Sequence, residues 1–380
     1  MKIAIVTEFF PKSGELEIRG GVEARAFYVA KHLAKRHDIT VIASRERGTP
    51  RKDKFSGIEI IRPGAKRQYS QKGSLVERLG FIIGGAQAAL KNFDIVDGYN
   101  FISYPIAWRI SRKQGIPAVA TYHDVWVGEW IKNIGTSGIF GELLERYVLS
   151  KRWDKFIAVS SYVKKKLLKE GVNEGSIKVV PNGIEIEEYE RIKTEKYPEP
   201  TVCCISRLVE YKHVDDLIKA LCTIRREMPD IKCKIVGTGP QEGDLRLLVS
   251  KLGLREHVEF LGFVERHQDL VRILKSSQVL CLPSTVEGFG IVLIEAMAAR
   301  VPFVASEIEP LVEATGKMGG LFFEPRNIKD LANKLLFLLR DEERQRNLAK
   351  EGFKQALNYD WGNISNRIEE VYMAVASRQG

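Results

Sequence analysis

The chain has 380 residues, of which 28% are charged and 44% are hydrophobic, with a formal net charge of +10. This length suits two domains of about 100 to 200 residues each. No run reaches the roughly 18 uncharged apolar residues of a membrane span. The start, residues 1–6, predicts a strand and has no signal-peptide layout. We therefore expect a cytosolic protein.

The cysteines indicate no redox or metal function. They lie mostly inside apolar runs and show no paired Cys-x-x-Cys spacing, at Cys203, Cys204, Cys222, Cys233 and Cys281. Neither a zinc site nor a disulfide framework is expected from this pattern. Small buried side chains are the simpler interpretation.

Charge is distributed unevenly between the two halves. Residues 1–180 hold 31 Lys and Arg against 18 Asp and Glu, a net charge of +13, whereas residues 181–380 are slightly acidic. The asymmetry predicts that the first half meets something anionic, such as a membrane surface or a phosphorylated acceptor. Scattered solvated lysines are the alternative. Nucleic acid is not expected as a partner, because the basic half contains no recognition motif.

Apolar runs typical of strands alternate with helical patterns along the whole chain. In order, the predicted strands are residues 2–7, 39–44, 58–61, 95–98, 118–122, 156–160, 178–180, 202–206, 233–237, 258–261, 279–282, 303–306 and 320–323. This alternation predicts an α/β protein with parallel sheets covered on both faces. We predict two doubly wound, Rossmann-like domains, residues 1–184 and 201–358, joined by a linker at 185–200. They would face each other across a cleft that holds the ligand.

Glycines and a histidine follow several of these strands. Gly20 and Gly21 precede the helical pattern 22–35, and Gly237 begins a Gly-Thr-Gly-Pro turn. Glycines there let a backbone approach a phosphate, while a plain turn is the alternative. His123 ends the strand 118–122, where an imidazole can donate a hydrogen bond or transfer a proton. A structural histidine is the alternative.

A cationic pair follows the strand 202–206. Arg207 leaves its carboxyl end, and Lys212 comes five residues later. Arg offers a rigid fork and Lys a mobile point charge, which together suit a diphosphate whose charge grows as a bond breaks. Ordinary surface charge is the alternative.

Two carboxylates eight residues apart bracket a glycine-flanked turn. Glu287 precedes Gly288, Phe289 and Gly290, and Glu295 lies in the helical pattern that follows. At about 1.5 Å per residue the carboxylates are roughly 12 Å apart along the axis, too far to act on one bond. A long ligand could use both, with phosphates at the helix N-terminus. Solvated residues are the alternative.

Taken together, these residues resemble the retaining, nucleotide-sugar-dependent glycosyltransferases of family four, which have the GT-B fold. The resemblance covers nearly the whole chain. Beyond the residues above, it includes Pro181-Asn182-Gly183-Ile184, Leu261-Gly262-Phe263-Val264 and Tyr359-Asp360-Trp361. The sequence departs from the family pattern at His213, where many members have glycine.

The resemblance implies a role for each position. Glu287 and the N–H groups around Gly288, Phe289 and Gly290 would contact the donor sugar, and Glu295 the ribose. Arg207 and Lys212 would clamp the diphosphate, with Gly21 closing on it from the other domain. The nucleobase would touch Gly262, Phe263 and Val264, and the transferred sugar would touch His123. The last helix, about 359–380, would pack back on the first domain.

The resemblance and the charges together predict hexosyl transfer from a UDP- or GDP-sugar to a hydroxyl acceptor. We expect no cofactor and no metal, because the chain has no Asp-x-Asp and basic residues can stabilise the departing diphosphate. A nucleotide-sugar epimerase, a phosphorylase and a non-catalytic nucleotide-binding module are the alternatives. An epimerase would alter the nucleotide sugar without an acceptor.

An apolar pattern in the basic half suggests what the acceptor is. Residues 75–90 carry apolar side chains at helical spacing, at Leu75, Leu79, Ile82, Ile83 and Ala86. Lys66, Arg67, Lys72 and Arg78 lie beside them, and Trp126, Trp130 and Ile134 follow His123. An apolar surface beside basic residues suits docking on an anionic membrane. We therefore expect a lipid-linked or otherwise anionic acceptor and peripheral membrane contact. A core helix with packed tryptophans is the alternative.

Overall fold

A computed structural model describes residues 1–12, 18, 20–67, 75–88 and 91–377, without the side chains of 75–77, 86–88, 134 and 137. The chain forms two compact units. The first contains residues up to Asn182 together with the segment from Trp361 onward, and the second is Gly183–Asp360. Lys72 lies outside the described residues.

The first unit is built on an eight-stranded sheet. Its strands are β1 (Lys2–Val6), β2 (Asp38–Ile42), β3 (Lys52–Phe55), β4 (Ile58–Ile61), β5 (Ile95–Gly98), β6 (Ala118–Tyr122), β7 (Lys155–Ala158) and β8 (Ile177–Val179). They lie in the order β3-β4-β2-β1-β5-β6-β7-β8. All neighbours are parallel except β3 and β4. The central strands are buried because helices cover them, which is why they are continuous apolar runs.

The helices of this part are α1 (Gly21–Leu33), α2 (Leu75–Ala88), α3 (Tyr104–Gln114), α4 (Trp130–Ile134), α5 (Gly138–Leu149) and α6 (Ser161–Lys169). Helix α1 begins directly after Gly20, and its apolar positions Ala26, Val29, Ala30 and Leu33 recur at helical spacing and are fully buried. The strand β1 and helix α1 therefore place Gly20 and Gly21 at the start of the first crossover.

The second unit has a six-stranded sheet that is parallel throughout. Its strands are β9 (Thr201–Ile205), β10 (Lys232–Val236), β11 (Val258–Gly262), β12 (Val279–Leu282), β13 (Phe303–Ser306) and β14 (Gly320–Phe323), in the order β11-β10-β9-β12-β13-β14. Its helices are α7 (Ile186–Arg191), α8 (Val214–Glu227), α9 (Glu242–Lys251), α10 (His267–Ser276), α11 (Ile291–Ala298), α12 (Glu309–Thr315), α13 (Ile328–Leu339) and α14 (Glu342–Ala356). The two sheets confirm the predicted class of two doubly wound, Rossmann-like domains.

The chain ends in a helix that belongs to the first unit. Helix α15 (Trp361–Ala376) buries Trp361, Ile364, Ile368 and Tyr372 at three- and four-residue spacing. The Trp361 indole stacks on the Tyr28 ring of α1, with ring centroids 5.7 Å apart. The first unit is therefore discontinuous in sequence.

The segment 185–200 contains a short helix and is attached to the second unit. Helix α7 buries Ile186 and Tyr189. The Tyr197 N–H donates to the Ser276 carbonyl over 2.8 Å. Lys275 Nζ donates to the carbonyls of Tyr189 and Ile192. This segment therefore packs on α10 rather than running as an unattached connection.

Candidate functional site

The strand order of the second unit reverses between β9 and β12. In doubly wound sheets, ligands bind beyond the carboxyl ends of the strands at such a reversal. The chain leaving β9 carries Arg207 and then a 3-10 turn, Glu210–Lys212. The chain leaving β12 becomes the loop 283–290 that precedes α11. The topology therefore brings two of the predicted site segments to one place.

Lys212 and Glu287 are joined at this place by an ion pair. Their Nζ and Oε1 atoms are 2.6 Å apart, with 12% and 14% of the two side chains exposed. The predicted phosphate-binding cation and the predicted sugar-binding carboxylate are thus neighbours. A ligand that carries a phosphate next to a hydroxylated group could engage both at once.

Arg207 lies on the exposed side of the same turn. Its Nη2 donates to the Tyr211 hydroxyl over 2.6 Å, so Tyr211 fixes the direction of the guanidinium. The Tyr211 carbonyl accepts from the Thr285 N–H over 2.9 Å, which ties the turn to the loop before Glu287. Tyr211 was not among the residues predicted from the sequence, and the signal for it is its position one residue before Lys212.

The turn between Glu287 and Glu295 is partly inaccessible to a ligand. Phe289 is 5% exposed and its ring packs edge-on against Tyr359, so only its backbone can serve a ligand. Gly290 has a φ of 81°, and a Cβ there would lie 2.2 Å from the Leu311 side chain. Burial raises the pKa of the Glu295 carboxyl above its usual range, and His267 opposes this. Gly288 adjoins both Glu287 and Phe289 in this turn.

The glycines after β10 permit contact between two loops. A Cβ on Gly237 would lie 2.0 Å from the Ser206 carbonyl oxygen, and one on Gly239 would lie 2.2 Å from that of Leu208. Leu208 N–H also donates to the Thr238 carbonyl over 3.0 Å. These glycines are therefore explained by packing against the Arg207 segment.

The predicted nucleobase segment ends the neighbouring strand. Gly262, at the end of β11, has a φ of 66° and accepts from the Gly237 N–H over 2.8 Å. Phe263 follows it and is 45% exposed, and Val264 is half-buried. An exposed aromatic ring beside the Gly237 loop is a suitable stacking surface for a planar base.

In the first unit, Gly20 caps α1 in an extended conformation, and a Cβ there would meet nothing within 4 Å. Neither backbone strain nor packing against neighbours requires glycine at this position. The space beside Gly20 is open. Gly21 is the first residue of α1.

His123 follows β6 in the first unit and is half-buried. Burial, aided by the charge of Arg25, lowers the pKa of His123 to about 3. Its Nε2 is buried and has no hydrogen-bond partner among the described residues. The imidazole is therefore neutral at physiological pH and can exchange a hydrogen bond with a ligand but does not supply a positive charge.

A buried polar network that the sequence analysis missed surrounds this histidine. Arg25 is fully buried on α1, and its Nη1 donates to the Pro181 carbonyl over 2.7 Å and to Asn182 Oδ1 over 3.1 Å. Asp97 on β5 accepts from the Tyr372 hydroxyl over 2.7 Å. Burial raises the pKa of Asp97 to about 7. A charged residue inside an otherwise apolar predicted strand was the available signal.

Several residues of the predicted membrane surface are in fact interior. Trp130 is 8% exposed and its indole N–H donates to Glu145 over 2.6 Å. Arg67 is 5% exposed, and both Arg67 and Arg78 pair with the buried Glu8 at 3.0 and 3.2 Å. The prediction that these three side chains face a membrane is wrong, because each has a polar partner inside the unit. Leu79 and Ile83 are exposed, as expected, but Ile82 is 7% exposed and belongs to the interior.

Two further observations concern metals and membranes. Over the ranges that the structure describes, no three His, Cys, Asp or Glu side chains converge in a way that would hold a metal ion. In that same part of the chain, no helix combines the length and apolar character needed to cross a bilayer.

Comparison with known proteins gives two adjoining family matches. The family described as Glycosyltransferase Family 4 matches residues 19–188, and the family Glycosyl transferases group 1 matches residues 185–355. A GDP-mannose-dependent alpha-(1-6)-phosphatidylinositol monomannoside mannosyltransferase of Mycolicibacterium smegmatis is 26% identical, and the alignment covers 97% of each chain.

Solved structures share the fold over almost the entire length. Sucrose-phosphate synthase from Thermosynechococcus elongatus has a TM-score of 0.84 at 20% identity, with 99% of each chain covered. The Anabaena HepE protein in complex with UDP-glucose has a TM-score of 0.77 at 20% identity, covering 98% of this chain and 100% of that one. At these identities, the likeness shows the architecture alone.

Proposed function

Because this chain belongs to glycosyltransferase family 4 and has the GT-B fold, we propose that it moves a hexosyl group from a UDP- or GDP-sugar to a hydroxyl acceptor, with retention of configuration and without a metal. The observation that carries this proposal is the Lys212–Glu287 pair at the sheet reversal. It sets a cation for a phosphate beside a carboxylate for sugar hydroxyls.

The chemistry assigned to the second unit is leaving-group stabilisation. As the bond between the sugar carbon and the diphosphate oxygen breaks, negative charge grows on the diphosphate and positive charge on the sugar ring. Lys212 and Arg207 would stabilise the first of these charges. Glu287 would accept hydrogen bonds from the sugar, and Glu295 from the ribose. Phe263 would stack on the base.

Retention follows if the acceptor attacks the face that the diphosphate leaves. The acceptor oxygen then forms the new bond to the sugar carbon, and its proton passes to a diphosphate oxygen. In this route His123 need not transfer a proton. Its neutral imidazole would hold a sugar hydroxyl through the unpartnered Nε2.

For the acceptor, we propose a lipid-linked hydroxyl at an anionic membrane surface. Helix α5 presents Ile139, Leu143 and Tyr147 at four-residue spacing, with 50%, 64% and 46% of their surfaces exposed. Lys151 Nζ lies 4.0 Å from the centroid of the Tyr147 ring, and the Arg146 side chain is 55% exposed. An apolar row with basic neighbours suits a bilayer interface. The relative from M. smegmatis is named for a phosphatidylinositol-based acceptor.

Donor screening tests the first part of the proposal. Purified protein is heated with UDP-, GDP- and ADP-sugars, and a donor that binds the folded state raises the midpoint of unfolding with its concentration. The unfolding midpoint of wild type should rise with a UDP- or GDP-sugar, and that of Glu287→Gln should rise less.

Transfer should also survive EDTA, because Lys212 and Arg207 supply the positive charge. Complete loss that magnesium or manganese restores would contradict the metal-free route, and an altered sugar released without acceptor would indicate an epimerase.

Vesicle sedimentation tests the second part. Wild type should sediment with anionic vesicles but not with neutral ones, and Leu143→Asp should weaken the binding to anionic vesicles. Leu247 is a matched control, since it is a similarly exposed leucine on α9 of the acidic second half. Equal, negligible binding to both vesicle types would favour a soluble acceptor.

A further inference from the structure

Two residues near Lys212 have a backbone conformation that side chains disfavour. His213 has a φ of 49° and Arg326 a φ of 69°. Such left-handed conformations in residues other than glycine persist where the surroundings hold them, and they cluster at functional sites. His213 and Arg326 are 113 residues apart in sequence, yet Arg326 Nη1 donates to His213 Nδ1. The same turn with glycine would be free of this strain.

The His213 side chain joins the two loops of the proposed donor site. Its Nε2 lies 2.9 Å from Thr285 Oγ1, two residues before Glu287. The Thr285 N–H donates to the Tyr211 carbonyl. The turn that ends in Lys212 and His213 is therefore linked to the loop 285–287 through Thr285 and through the Lys212–Glu287 ion pair.

These contacts define the protonation state of the imidazole. A guanidinium can only donate, so Nδ1 must accept, and the ring proton sits on Nε2 and is donated to Thr285 Oγ1. Burial, aided by the charge of Arg326, lowers the pKa of His213 below its usual range. Asp215 Oδ1 is 4.0 Å from Nδ1, and Asp216 pairs with Arg326 at 2.7 Å. The other charged groups that act on the ring are Glu210 and Lys219.

We propose that His213 is a positioning residue of the donor site, which keeps the loop 285–287 in place against the Lys212 turn when the ligand opens the Lys212–Glu287 pair. A phosphate competes for Lys212, and sugar hydroxyls compete for Glu287. Once both are engaged, the His213–Thr285 and Thr285–Tyr211 hydrogen bonds still join the two loops. The inference rests on the proposed function, because the ligand that opens the pair is taken to be a nucleoside-diphosphate sugar.

His213→Gly separates positioning from stability. Glycine relieves the left-handed strain, so the unfolding midpoint should stay the same or rise. Loss of the His213–Thr285 hydrogen bond should weaken the binding of UDP-glucose or GDP-mannose by about tenfold. Thr285→Val, which removes the acceptor of the imidazole N–H, should weaken it similarly. Lys317→Gly is the matched control, because Lys317 also has a positive φ of 61° and lies at the α12–β14 connection. It should leave donor binding unchanged.

Calorimetry with UDP, GDP, UDP-glucose and GDP-mannose gives the outcome. Wild type should lose affinity as the pH falls below the ordinary imidazole pKa of about 6.5, because the imidazole is then protonated and Arg326 is released, while His213→Gly should show a flatter profile. If wild type binds a donor and His213→Gly binds it equally well at every pH, the positioning role is wrong. An equal loss in Lys317→Gly also overturns it. If wild type binds none of the four, the proposed function fails first and this inference with it.

Discussion

The two units use buried charge in different ways. In the first, Arg25 is fully enclosed, donates hydrogen bonds to Pro181 and Asn182 at the end of the first stretch of its unit, and lies near Asp97. In the second, Lys212 and Glu287 form a simple pair whose side chains keep some access to solvent. An enclosed charge with fixed partners holds chain segments together, whereas an accessible pair can exchange its partners for a ligand. The same doubly wound topology thus holds a structural cluster of buried charge in one unit and, in the other, the accessible ion pair that we propose binds the donor.

The largest expected effect is a loss of stability when the enclosed charge of the first unit is removed. Arg25→Leu leaves the Pro181 carbonyl and Asn182 Oδ1 without their donor and should lower the free energy of unfolding by about 3 to 5 kcal/mol. Urea denaturation measures this. Arg36→Leu is the control, because Arg36, whose side chain is 47% exposed, pairs with Glu369 at the surface of the same unit, where about 1 kcal/mol or less is expected. Equal losses in the two variants would show that Arg25 has no special role.

The next largest effect is a loss of turnover when the cations of the proposed donor site are removed. Lys212→Ala and Arg207→Ala should each lower kcat by about a hundredfold, or roughly 3 kcal/mol, because their charge matters most as the diphosphate departs. Stability should change little. Lys219→Ala, on α8 close to the site, should leave kcat near the wild-type value. Steady-state kinetics with unchanged kcat in both site variants would remove these residues from the mechanism.

A smaller effect on donor binding should show that Glu287 and Glu295 contact different parts of the donor. Glu295→Gln should weaken the binding of the intact donor and of the free nucleoside diphosphate alike, by about tenfold for one lost hydrogen bond to a charged group. Glu287→Gln should act mainly when the sugar is attached. Calorimetry with each ligand tests this. The same loss for both variants with both ligands would contradict the division.

The smallest effect is a pH dependence in the first unit. The pKa of Asp97 is about 7 in the folded protein and about 4 in an unfolded chain, so the folded state holds this proton more tightly. The stability contributed by Asp97 is therefore greatest at low pH and declines as pH rises from about 4 to about 7. Asp97→Asn should gain stability relative to wild type over that range in thermal unfolding. The exposed Asp38→Asn should not, and a constant difference for Asp97→Asn would refute the prediction.

The fold was largely predictable because buried parallel strands appear in the sequence as continuous apolar runs. The strands Ala118–Tyr122, Val279–Leu282 and Phe303–Ser306 lie where the sequence places them. Strand β3 was missed, since Lys52–Phe55 is a charged edge strand without such a run. Its signal was the dipeptide Ser56-Gly57, where both residues have a positive φ, as a type I′ hairpin turn requires.

Sequence reasoning could propose site residues only where a local pattern marks them. Lys212 follows a predicted strand and Glu287 precedes a glycine-flanked turn, whereas the contact between His213 and Arg326 depends on how distant segments meet. Apolar spacing also does not say which face of a helix is interior. Trp130 was assigned to a surface for this reason, whereas its partner Glu145 lies on the next helix.

The position of α15 has a consequence for synthesis of the protein. Trp361, Ile364, Ile368 and Tyr372 complete the hydrophobic core around β1 and α1, so the portion translated first lacks part of its interior until the ribosome has made the rest. During that interval the second unit is translated completely, because it is continuous in sequence, and we expect it to fold before α15 packs on the first unit. The amino-terminal part must wait with apolar surface uncovered, and this interval is when a nascent chain is most exposed to aggregation and to chaperones.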